Sequence, residues 1–365
     1  MGQKESRIFG LDALRAAAIL LVVVSHVLGI NTTMHQSRAV AFCGIMGVEL
    51  FFVLSGFLIG GIIIRLMHAN RFNTYKDLFH FWLNRWFRTL PLYYFFFFLY
   101  CFFHGHFFSQ IHQHASYLVF MQNLAWNMPV DFFGQSWSLS IEEWFYLAFP
   151  LFLFGLYAVL RLPMRSSVLI AAFLFMAASL VLRIIHSPEN SFLDFDQTIR
   201  KWVVFRFDAL MLGVLMAYIK YEKPRLWHTL SSRSALAFIF LGFVSLFLAF
   251  AVQFLFVLPW LQVMIFPIVS LSVALVMPFF ADWKNSHSLL QKPVVGLAKS
   301  SYSIYLSHAI PVTGIAKFPQ LYHDAWICYP LTVISIFVLG AFSYCFIEAP
   351  LMNWRKRWNS RFNAR

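Results

Sequence analysis

An apolar run near the start of the 365-residue chain carries Asp12, Arg15 and His26. Ionisable side chains are costly inside hydrocarbon and mark functional positions there. Arg15 and His26 are 11 residues apart, which on a helix is about 16 Å of rise and about 1,100° of turn, so both project from nearly one face. A neutral imidazole deep in a bilayer could act as a base, with a guanidinium at the rim to meet an anion. A core histidine satisfied by one neighbour has the same sequence signature. Arg85 and Arg88 stand at i, i+3 and form a two-guanidinium fork on one helical face. Planar guanidinium donors match phosphate oxygens bidentately, although a pair of positive membrane anchors would look alike. Pro91 is expected to break or kink that helix. Residues 138–146 read Ser-Leu-Ser-Ile-Glu-Glu-Trp-Phe-Tyr. Glu142 and Glu143 are expected at the opening of a helix, complementing its dipole beneath a Ser138 or Ser140 cap, unless they enter the chemistry. His308, Arg206 and Asp208 are further candidates in or beside apolar runs, and Glu348 reads as an anchor near the tail. His104, His106, His112 and His114 do not have zinc-site spacing, and no metal is expected. Asn31-Thr32-Thr33 fits a glycosylation pattern that is common by chance.

These residues must be carried by membrane helices. The chain is 60% hydrophobic, 19% aromatic and 12% charged, with a mean hydropathy of +0.69. Soluble domains carry about 25% charged residues, so a disordered chain, a coiled coil and an ordinary soluble enzyme are excluded. The net charge of +13 is read as cytoplasmic loop charge rather than a nucleic-acid surface. Runs of about 20 apolar residues fall at 10–30, 42–66, 89–108, 142–161, 167–186, 202–220, 235–255, 259–280, 300–318 and 327–350. With alternate loops on alternate sides, 22 of the 28 Lys and Arg fall on the N-terminal side and 6 opposite. The expectation is an all-α, polytopic integral membrane protein of about ten transmembrane helices, both termini cytoplasmic. The domain expected is 1–352, with a basic cytoplasmic tail at 353–365. Asp12 and Arg15 interrupt the first run and no cleavage site follows it, so it reads as a retained helix rather than a signal peptide. The four cysteines are far apart, form no C-x-x-C, and read as small apolar residues.

Taken together, these motifs resemble the membrane acyltransferase-3 family. Gly10-Leu11-Asp12-Ala13-Leu14-Arg15 through His26 is similar to that family's opening R-x10-H helix. The run Gly47-Val48-Glu49-Leu50-Phe51-Phe52-Val53-Leu54-Ser55-Gly56-Phe57 resembles its second-helix signature. Arg85-Trp86-Phe87-Arg88-Thr89-Leu90-Pro91 resembles its R-x-x-R motif, and Trp137-Ser138-Leu139-Ser140-Ile141-Glu142 with Phe145-Tyr146 its acidic motif. Ser301-Tyr302-Ser303-Ile304-Tyr305-Leu306 with His308, and Ile347-Glu348-Ala349-Pro350, resemble its last two helices. Ser25 stands where the family often has an aromatic residue. No SGNH-type domain follows the membrane segments in these residues, so the resemblance implies acylation of the acceptor directly or through a separate protein.

The resemblance implies transfer of an acyl group, acetyl first among them, from cytoplasmic acetyl-CoA to a hydroxyl of a cell-surface glycan such as a lipopolysaccharide O-antigen sugar. Its setting would be the bacterial inner membrane, among membrane lipid. His26 is then the general base, Arg85, Arg88 and Arg15 bind donor phosphates, and Arg15 or Glu142 assists at the reacting centre. The pantetheine arm is expected to thread inward from the arginines to His26. An acyl-enzyme on Ser25 is not expected, because adjacent helix residues diverge. The competing class is a proton-coupled transporter using the same Arg, His and Glu groups; a non-catalytic receptor is a third.

Overall fold

A computed structural model describes residues 7–30, 38–103, 107–129, 132–251, 258–284, 289–315, 317–318 and 324–362. The Asn31 pattern, His104, His106 and the last three residues lie outside the described residues. No strand occurs among the described residues. In chain order the main helices are α1 (Phe9–Leu28), α2 (Arg38–His68), α3 (Tyr75–Phe103), α4 (Ser136–Phe154), α5 (Met164–His186), α6 (Phe207–Glu222), α7 (Pro224–Ser232), α8 (Ser234–Ala251), α9 (Pro259–Asp282), α10 (Gln291–Ser307), α11 (Ala325–Ser343) and α12 (Ala349–Phe362).

Seven helices among the described residues are long and apolar enough to cross a bilayer, or eight if α7 and α8, bent by 66°, make one span. Each of the ten expected apolar runs contains a helix, but two of them are short. α6 has 16 residues and α10 has 17, roughly 24–26 Å of rise against about 30 Å of hydrocarbon. Hydropathy does not report where a helix stops: α10 ends at Ser307, and His308 forms a turn before the short helix Ala309–Ile315. Large apolar side chains stand exposed on α5 (Phe173, Ile185) and α11 (Ile334, Val338), faces that call for a lipid solvent. The chain is an integral, multi-pass membrane protein.

The chain forms two compact units, one from Met1–Ile64 and Asp208–Ser301, the other from Arg65–Phe207 and Tyr302–Arg365. Each draws on two separate stretches, a division that linear composition does not reveal. The expected tail boundary at 352/353 falls inside α12.

The first unit is held by close backbone approach. A Cβ on Gly56 would lie 1.9 Å from the Leu210 carbonyl oxygen, and one on Gly213 would lie 2.1 Å from that of Val53. α2 and α6 therefore pack backbone to backbone, as small residues allow in membranes. Gly47 seats α2 on α1, 2.9 Å from the Ala18 oxygen by the same measure. α1 has no side-chain cap; its first amides are met by α9, with Gly10 N–H donating to Trp283 O (2.9 Å) and Phe9 N–H to Lys284 O (3.2 Å).

The second unit is tied by polar cross-links. Gln122 donates to the Ser136 and Ser140 hydroxyls, Asn123 to the Trp137 and Lys201 carbonyls, and Gln135 to Tyr100 Oη and the Leu306 carbonyl. Beyond α5, a π-helical turn (Asp196–Arg200) brings Asp196 against Arg200 (2.6 Å) and Lys201 (2.5 Å). Burial pushes the Asp196 carboxyl up, but the charges and hydrogen bonds of Arg200 and Lys201 outweigh it and hold the group below the usual carboxylate range.

Two outcomes follow from this architecture. Gly56→Ala must displace a backbone carbonyl and should cost about 2–3 kcal/mol, lowering the yield of monodisperse protein on size exclusion. Gly242→Ala, which meets open space, should leave it unchanged. Asp196 has a depressed folded-state pKa, so its stabilisation is complete above the unfolded carboxyl value, about 3.9. It is lost as pH falls through the lower folded value. Thermal stability should therefore drop in that acid range, and Asp196→Asn should flatten the drop while lowering stability at neutral pH.

Candidate functional site

α1 runs unbroken from Phe9 to Leu28, so the Arg15–His26 spacing does place both on one strip. Ala17, Leu20 and Val24 form the exposed apolar stripe of α1. At about 100° per residue, Arg15 and His26 lie roughly 120–180° from that stripe. The imidazole thus lies on the side of α1 opposite that stripe. Two expectations change here. His26 is not sunk among packed groups: it sits in the last turn of α1 and its side chain is exposed. And the strip between the two residues is filled, because Ile19 and Val22 have 0% and 1% exposure, with Gly47 of α2 seated against Val22. No donor arm can run along that strip in this structure.

His26 Nδ1 contacts the Val22 carbonyl oxygen at 2.8 Å. A carbonyl only accepts, so Nδ1 carries the hydrogen and Nε2 of the neutral ring holds the lone pair. That is the tautomer a base acting through Nε2 requires. Ser25, next to it, donates to the Val40 carbonyl (2.9 Å) and is engaged in joining α1 to α2. Asp12 is buried and forms a two-point ion pair with Arg7, with Nη2 to Oδ1 at 2.9 Å. It is an anchor for the entry of α1.

In the second unit, α3 continues through Pro91 rather than breaking. Hydrogen bonds gather just before the proline: the Thr89 hydroxyl donates to the Arg85 carbonyl (3.2 Å), and Tyr302 Oη donates to the Thr89 carbonyl (2.7 Å). Neighbours that satisfy freed backbone groups are what let proline persist in membrane helices. Arg85 and Arg88 are half-buried on this helix. No described carboxylate lies within ion-pairing distance of either guanidinium. The Glu143 charge reaches Arg85, and the Thr89 side chain reaches Glu143.

The acidic motif differs from its expected place. α4 begins at Ser136, with no acidic residue in its first turn and no side-chain cap. Glu142 and Glu143 sit almost two turns in, where the helix dipole no longer explains them. Ser138 hydrogen-bonds Tyr305 Oη (2.5 Å), and Ser140 accepts from Gln122. Glu143 is buried with Oε2 unpartnered. Glu142 is half-buried, accepts from Tyr146 Oη (3.1 Å), and its charge reaches Tyr302 and Tyr305. The fork of α3, the acidic motif of α4 and the tyrosines of α10 are thus brought together. Arg15 and His26 belong to the other unit.

The other candidates are buried and hydrogen-bonded. Arg206 is fully buried just before α6 and donates to the Arg200 carbonyl (3.0 Å). Asp208 is buried, and its Oδ1 accepts from the Ala209 amide (2.9 Å). His308 is fully buried, its Nδ1 on the Tyr305 carbonyl (2.6 Å), at the break after α10. Glu348 accepts from Ser303 (2.6 Å) in a π-helical turn. His114 stacks on Phe132, with centroids 3.8 Å apart. The residue reading passed over Glu49, buried in α2 and accepting from the Ser270 hydroxyl of α9, and Arg183, fully buried in α5 and donating to the Phe205 carbonyl. An ionisable residue inside an apolar run was the available signal for both.

The acyltransferase-domain family, acyltransferase-3, matches residues 8–351. The chain is 26% identical over 366 residues to the O-acetyltransferase OatA of Staphylococcus aureus, covering 94% of this chain and 57% of that protein. It is 28% identical over 371 residues to YrhL of Bacillus subtilis, covering 94% and 54%. It is 26% identical over 374 residues to the peptidoglycan O-acetyltransferase OatA of Listeria monocytogenes, covering 93% and 55%. The chain thus spans little more than half the length of these relatives. No solved structure matches it. The match runs nearly end to end and takes in the helices that carry Arg15, His26, Arg85, Arg88 and Glu142: the chain belongs to the acyltransferase-3 family.

Proposed function

We propose that the protein is a membrane O-acyltransferase that moves an acetyl group from cytoplasmic acetyl-CoA to a hydroxyl of a cell-envelope glycan. Membership of the family over residues 8–351 carries this reading. The pair of half-buried arginines with no carboxylate partner supports the donor half of it, since a multiply charged phosphate is what such a fork lacks. The names of the Bacillus subtilis and Listeria monocytogenes relatives point the acceptor toward peptidoglycan. An O-antigen sugar offers the same hydroxyl chemistry and is the alternative acceptor.

In the reaction, His26 Nε2 takes the proton of the acceptor hydroxyl as its oxygen attacks the thioester carbonyl carbon. The carbonyl electrons move onto oxygen as the tetrahedral intermediate forms. The intermediate collapses with loss of the CoA thiolate, which takes the proton back from the imidazolium. The products are an O-acyl ester and CoA with a free thiol. Glu142 orients the base or binds the acceptor. With its Lys and Arg concentrated on one side, the chain keeps both termini in the cytoplasm of a bacterial inner membrane.

His26→Gln should lower kcat by about 10²–10⁴ while leaving expression and CoA binding intact. Thiol release and glycan acetylation in purified membranes, the latter by mass spectrometry, would report it. Normal acetyl transfer by folded His26→Gln would end the base assignment. Arg85→Ala should raise KM for acetyl-CoA more than it lowers kcat, and the defect should grow with salt. Solute flux across proteoliposomes without CoA release would overturn the enzyme reading.

A further inference from the structure

The sequence reads residues 353–365 as a basic cytoplasmic tail, and most of them lie on α12. Two contacts give it a definite register on α3. Trp354 packs edge-on against Phe87, centroids 5.4 Å apart, and Arg355 Nη1 donates to the Asn84 carbonyl at 2.8 Å. Asn84 immediately precedes Arg85, and Phe87 immediately precedes Arg88. Arg355 is therefore pinned beside the fork. The charges of the three arginines act on one another, Arg88 and Arg355 on Arg85, and Arg88 on Arg355. No described carboxylate ion-pairs with Arg355, Arg85 or Arg88.

Three like charges brought together by fixed packing are unfavourable without an anion between them. A single carboxylate would leave two charges over. A phosphate group has up to two charges and several acceptor oxygens arranged for guanidinium forks. We propose that Arg355 joins Arg85 and Arg88 in one phosphate-binding site, so that α12 is part of the binding machinery rather than a tail. The inference rests on the donor reading of Arg85 and Arg88. The same chemistry is offered by the phosphates of CoA and by the phosphodiester of an anionic lipid headgroup.

The test uses the full-length protein in nanodiscs of phosphatidylcholine, with and without phosphatidylglycerol. Affinity for CoA and for 3′-dephospho-CoA is measured by calorimetry, and retained phosphatidylglycerol by native mass spectrometry. Arg355→Ala and Arg355→Gln should each weaken CoA about tenfold. Arg357→Ala, which removes the same charge from an exposed position on α12, should not. Arg355→Gln can still donate to the Asn84 carbonyl, so it separates charge from anchoring should the alanine variant misfold. If CoA binding is unchanged but Arg355→Gln loses retained phosphatidylglycerol, the site stands and its phosphate is the lipid's. If Arg85→Ala weakens CoA while both Arg355 variants bind CoA and lipid normally, the inference is overturned and the donor reading survives. If Arg85→Ala also binds CoA normally, the donor reading falls, and lipid retention alone decides Arg355.

Discussion

A charge or hydrogen-bonding group in hydrocarbon has no water to turn to, so the protein itself must supply its partner. That constraint sorts the polar residues here. Arg183 and Arg206 reach the Phe205 and Arg200 carbonyls, Glu49 takes the Ser270 hydroxyl, and Glu348 takes that of Ser303. Each meets at least one neutral dipole. The arginines of α3 and α12 have been given like charges instead. Within one protein, polar side chains are thus surrounded in two different ways.

The glycines set the geometry at which those pairings work. Backbones meet at Gly56 and Gly213 with no side chain between them, and Gly47 brings α2 onto α1. Such contacts leave little freedom to slide, because any shift drives a carbonyl into its neighbour. They also close the strip of α1 between Arg15 and His26, which keeps the two polar ends of that helix chemically separate along its own surface. The imidazole is then oriented by its own helix, through the Val22 carbonyl.

In the second unit, motif residues that look reactive in the linear chain are largely cross-links. Ser138 holds Tyr305, Tyr302 holds the backbone ahead of Pro91, and Gln135 holds the carbonyl of Leu306. Arg85, Arg88 and Glu142 are each half-buried on helices that these bonds tie together. Precision at a site comes from such supporting contacts.

The membrane class, the helical character, the family and the pairing of Arg15 with His26 on one strip were determined by sequence alone. They depend on hydropathy, on the helical period and on short-range spacing, all of which are local. The number of long spans, the two-unit division, the exposure of His26 and the filled strip beneath it were decided by tertiary packing. So were the interior position of Glu142 and Glu143 on α4 and the docking of Arg355 beside Arg85. Each depends on which distant segment supplies a neighbour: Gly47 against Val22, Tyr305 against Ser138, Trp354 against Phe87. Periodicity shows which way a side chain points, but not what stands opposite it, and burial and charge compensation are properties of that opposite wall.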